Sequence, residues 1–64
     1  METAWLIERD DGGSLEYVAI VQGVMCWTPQ HLDALRFARQ QDAQAFATYY
    51  HPGPLVRVHL HRWG

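Results

Sequence analysis

The sequence predicts a small α+β domain, a mostly antiparallel sheet of order β-β-β-α-β with a broken helical segment packed on one face. Three observations carry this: short apolar runs separated by glycine turns in the first half, one long helical stretch from Thr28 to Tyr50, and a cleanly alternating run at the end.

Taken in order, Ala4–Arg9 (AWLIER) reads as a strand stopped by the turn cluster Asp10-Asp11-Gly12-Gly13-Ser14. Glu16–Gln22 (EYVAIVQ) reads as its hairpin partner. Gly23 permits another tight turn, and Val24–Trp27 (VMCW) completes a meander.

A helix is expected to open at Thr28 and Pro29, since a Thr side chain can accept a backbone N–H and proline loses nothing at a first helical position. Leu32, Leu35, Ala43, Phe46, Ala47 and Tyr50 then recur on one side as a buried stripe. Phe37 conflicts with that stripe: at about 100° per residue it points roughly opposite Leu32. A buried Phe37 therefore requires a break over residues 37–39, with a second helix from about Gln40 to Tyr50. Pro52, Gly53 and Pro54 end it.

The closing run Leu55–Trp63 (LVRVHLHRW) alternates, with Val56, Val58 and Leu60 suited to lie beneath the helix. The other side carries Arg57, His59, His61 and Trp63, joined across the sheet by Tyr17 or its neighbours on the second strand. One helix covers only one face, so this second face is expected to meet water or a partner. Aromatic residues mixed with Arg have the composition of interface cores, which makes Arg57, His59, His61, Trp63 and Tyr17 the candidate partner-binding surface.

The 64 residues form a single domain, 1–64, near the size at which one core suffices without a disulfide or metal, and oligomerisation, most simply a homodimer, is a usual remedy. Hydrophobic residues at 48% and charged residues at 19% exclude a disordered chain, and no apolar run is long enough to cross a bilayer. No signal peptide is visible, so the expected location is the cytoplasm. A net charge of −2 argues against nonspecific nucleic-acid binding. All five basic residues are Arg, which reads first as codon bias from a GC-rich genome; the sharper reading is that Arg suits interfaces through its planar, stacking fork.

Signs of chemistry are sparse. His59 and His61, two apart on a strand, project from one side as metal ligands do, but two ligands are too few. A third from His51, Cys26 or Glu16 would have no fixed spacing, so neither metal nor cofactor is expected. Cys26 between Met25 and Trp27 reads as a small core residue. No phosphate loop, telling carboxylate pair or serine elbow is present, so no enzyme is expected. Of Trp5, Trp27 and Trp63, two are expected in the core and Trp63 on the surface.

At WLIER, CWT, ALRFARQQDAQAF and VHLHRW the chain resembles small uncharacterised proteins encoded by phages and prophages of GC-rich bacteria. The resemblance covers most of the chain and implies a mobile-element origin. Inhibitors of host defence, anti-CRISPR proteins among them, are prominent among small acidic phage proteins. The resulting expectation is a non-enzymatic phage-associated protein that occupies a surface of a host or phage protein. The competing expectation is a nucleic-acid accessory factor using Arg57, Arg62, His59 and Trp63.

Overall fold

The computed structural model describes residues 2–50 and 56–63, apart from the side chains of Asp11 and Trp63. The element order is the expected one: β1 (Glu2–Asp11), β2 (Ser14–Val21), β3 (Val24–Thr28), α1 (Gln40–Tyr50) and β4 (Val56–Trp63). The strands form one antiparallel sheet in the order β3-β2-β1-β4, so the last strand returns to lie beside the first. No helix among the described residues is long and apolar enough to cross a membrane.

Both hairpins close on two residues. Asp11 pairs with Ser14 around Gly12 and Gly13, both at positive φ (65° and 94°), the backbone that two-residue hairpin turns demand. The Asp10 carboxylate accepts the Gly13 N–H at 2.9 Å and fixes this turn. In the second hairpin Val21 pairs with Val24 around Gln22 and Gly23.

The segment joining β3 to α1 departs from the sequence expectation. Thr28 Oγ1 does accept the Gln30 N–H at 3.2 Å, but only one 3-10 turn follows (His31–Asp33), and no α-helix opens there. Leu32 is consequently 62% exposed and not part of a buried stripe. The chain then runs extended between β1 and β2. Leu35 N–H donates to Val18 O at 2.9 Å, while Trp5 N–H donates to Phe37 O at 2.8 Å and Phe37 N–H to Trp5 O at 3.0 Å. The β1–β2 ladder is closed from Glu8–Tyr17 to the hairpin; beyond it the inserted segment takes up backbone groups that the splayed strands would leave unpaired.

This passage carries the chain from one face of the sheet to the other. Ala34, before the insertion, packs with Leu6 and Tyr17 on the back face. Phe37, after it, packs with Phe46 on the helix face. The expected break at Phe37 is therefore present, and α1 begins at Gln40. Ala43, fully buried, lets the helix approach Ile7 and Val18 closely, with Trp5, Met25, Trp27, Val56 and Val58 around them. Trp5 and Trp27 thus serve the core, and Arg9, held by Glu16 at 2.8 Å, lies 4.2 Å above the Trp27 ring. Leu60 and Tyr50, expected beneath the helix and on its stripe, are both substantially exposed.

Candidate functional site

The back face is not simply open, as the alternation suggested. Tyr17 is buried, with Ala34 and Leu6 packed against it and the His31 and His61 rings at its edges. His61 is half-buried, and Arg57 and His59 are exposed. The Trp63 side chain lies outside the described residues. Arg62, of opposite parity to Arg57 and His59, faces the other side of β4, so these residues do not form one stacking platform.

These side chains converge instead on a residue that the sequence reading did not single out. Among the described residues Glu8 is the buried charged group, 2% exposed, on the same side of β1 as Ala4 and Leu6. Its Oε1 accepts a hydrogen bond from Arg57 Nε at 2.7 Å, and its Oε2 lies 2.9 Å from His61 Nε2. An ionised carboxylate only accepts, so with Glu8 charged the hydrogen of this second contact belongs to His61 Nε2.

The ladder explains the reach. Glu8 faces Arg57 directly, Leu6 faces His59 and Ala4 faces His61. On a flat sheet, at about 3.3 Å per residue, His61 would stand roughly 13 Å from Glu8 along the strands. The 2.9 Å contact shows that the twisted strands bring the two residues closer than a flat sheet would. Tyr17, paired with Glu8 on the β2 side, walls the pair with its ring 5.4 Å from that of His61.

Burial pushes the Glu8 carboxyl upward, since a charge is costly away from water. The hydrogen bonds from Arg57 and His61, followed by their charges, outweigh burial and hold it below the ordinary value of 4.5. Glu8 is thus kept as a carboxylate.

His59 completes the arrangement. Its ring centroid lies 5.1 Å from that of His61 at an interplanar angle of 70°. One ligand atom each from Glu8, His59 and His61 lies within 4.8 Å of the others, in a gradient from buried through half-buried to exposed. The third group of the His pair is therefore Glu8. Glu16 lies in the Arg9 pair, Cys26 stands apart on β3 opposite Ala19, and His51 is outside the described residues. A signal for Glu8 exists in the sequence: it shares the parity of Ala4 and Leu6 directly after the apolar run Ala4–Ile7, and a carboxylate on a buried side requires a partner.

A second surface lies on the helix face. Phe37, Phe46, Tyr50 and Tyr49 form a continuous run of ring contacts, with centroid separations of 5.5, 4.4 and 4.9 Å. It passes from the half-buried Phe37 to Tyr49, which is 78% exposed. Compared with protein-family models, curated proteins and solved structures, the chain matches none.

Proposed function

We propose that this chain is a non-enzymatic binding protein that acts by occupying a surface of another protein, a host protein in the phage setting that the sequence resemblance implies. The observation that carries the reading is the aromatic run Phe37–Phe46–Tyr50–Tyr49, which starts in the core and ends in solvent. Tyrosine supplies large, rigid contact area, and rings seated on a packed base lose little freedom on binding, which is why such residues dominate interface energetics. Arg57 and His59, exposed on the back face, lie away from this run and are not part of the surface proposed here.

The test is capture from host-cell lysate on immobilised protein, followed by affinity measurement with the captured partner. Tyr49→Ala combined with Tyr50→Ala should weaken that affinity about tenfold or more while the circular dichroism stays unchanged. Normal partner binding by this double variant overturns the reading. Tight, salt-sensitive binding of single-stranded DNA or RNA in place of a protein favours the nucleic-acid alternative.

A further inference from the structure

We propose that Glu8, His59 and His61 form a binding site for a divalent first-row transition ion of the zinc class. The donor set is two imidazoles and one carboxylate, the ligand types that suit zinc, nickel and cobalt, and it leaves room for water or an external ligand at a fourth position.

Geometry supports this set. Ligand atoms held about 2.1 Å from a tetrahedral ion stand roughly 3.4 Å from one another. Glu8 Oε2 and His61 Nε2 already sit 2.9 Å apart, and the three ligand atoms span no more than 4.8 Å. A modest inward swing of His59, which is exposed and sits at the open side, closes the set. The two histidines are alternate residues of β4, which is laddered to β1 over eight residue pairs, so both ligand-bearing backbones are fixed before any ion arrives.

The surroundings divide the labour within Glu8. Arg57 Nε holds Oε1 at 2.7 Å, which orients the carboxylate and leaves Oε2 turned toward His61. Arg57 is therefore a positioning residue of the kind that aligns ligands at metal sites. The ion takes the place of the hydrogen that now bridges Glu8 Oε2 and His61 Nε2. The site lies on the back face, whereas the aromatic run lies on the helix face, so the inference does not depend on the proposed protein partner.

The experiment is titration of the chelator-treated full chain with Zn²⁺ by calorimetry and with Co²⁺ by visible absorption. Expected are one equivalent of Zn²⁺ and a Co²⁺ spectrum with the intense bands of a four-coordinate ion. His59→Ala removes an exposed ligand, so the variant should fold; it should bind Zn²⁺ about tenfold or more weakly and lose the Co²⁺ bands. His61→Ala should behave alike, and Cys26→Ser should bind as the parent does. Absence of stoichiometric binding in the parent overturns the proposal, and so does undiminished binding by a folded His59→Ala variant.

Discussion

Arg57 Nε donates to Glu8 Oε1 at 2.7 Å, directly across the ladder that joins the last strand to the first. The pair is unequal: the carboxylate is buried and the guanidinium largely open to water. Removing the exposed partner is therefore not a surface change. Arg57→Ala leaves a buried carboxylate with His61 alone, and should cost about 1–3 kcal/mol, more than the 0–1 kcal/mol of an ordinary surface ion pair. Replacing both Glu8 and Arg57 by Leu should cost less than the sum of the two single changes, because the uncompensated charge is gone. Urea unfolding of the four proteins checks this; additive losses would show that the two residues act independently.

The same carboxylate gives the fold a pH dependence. In the folded chain Glu8 holds its proton less tightly than the ordinary 4.5. As acid is added the unfolded chain takes up this proton first, so the contribution is full above 4.5 and is lost as pH falls through the lower native value. With chelator present, denaturant unfolding from neutral pH downward should show stability falling in that acid window, and Glu8→Gln should flatten the slope. An unchanged slope in the variant would mean that other carboxylates carry the effect.

Phe37 is the other point at which a single residue organises the chain. Its backbone is joined to Trp5 by two hydrogen bonds between strands that have separated, and its ring sits on Phe46. The amides of Trp5, Leu35 and Phe37 should exchange slowly although residues 35 and 37 belong to no named strand or helix. Phe37→Ala should cost about 2–3 kcal/mol, below the roughly 3–5 kcal/mol of a large core aromatic because the ring is half-buried. Fast exchange at these three amides would show that the insertion is not part of the stable fold.

How much of this was legible in the sequence follows from how local each feature is. The hairpin turns and the alternation of β4 are local, and each has its expected place. The break at Phe37 also shows, because the ring's phase clashes with the Leu32 stripe within a few residues. The destination of the broken segment does not show. Passage between β1 and β2 depends on how those strands splay, which no nearby residue encodes. The same holds for Glu8: its partners are Arg57 and His61, some fifty residues away, and only the antiparallel return of β4 beside β1 brings them together. The open face expected around Tyr17 follows from one helix covering one face, whereas the chain ahead of that helix also passes over the back face, where Ala34 packs beside Tyr17.

The remaining prediction concerns assembly. Among the described residues few large side chains are fully buried: Leu6, Ile7, Glu8 and Val18, one of which is a carboxylate. A core this small supplies only a few kcal/mol, and association is a usual supplement. β4 is the longer of the two outermost strands of the sheet, with eight residues against five in β3, and outermost strands invite pairing with another chain. We therefore expect a dimer formed by antiparallel pairing of two β4 strands, which extends the sheet and leaves Tyr49 and Tyr50 open for a partner. Light scattering at tens of micromolar should give twice the chain mass, and β4 amides should exchange more slowly as concentration rises. A monomer mass, or exchange of β4 that does not depend on concentration, would exclude the edge-paired dimer.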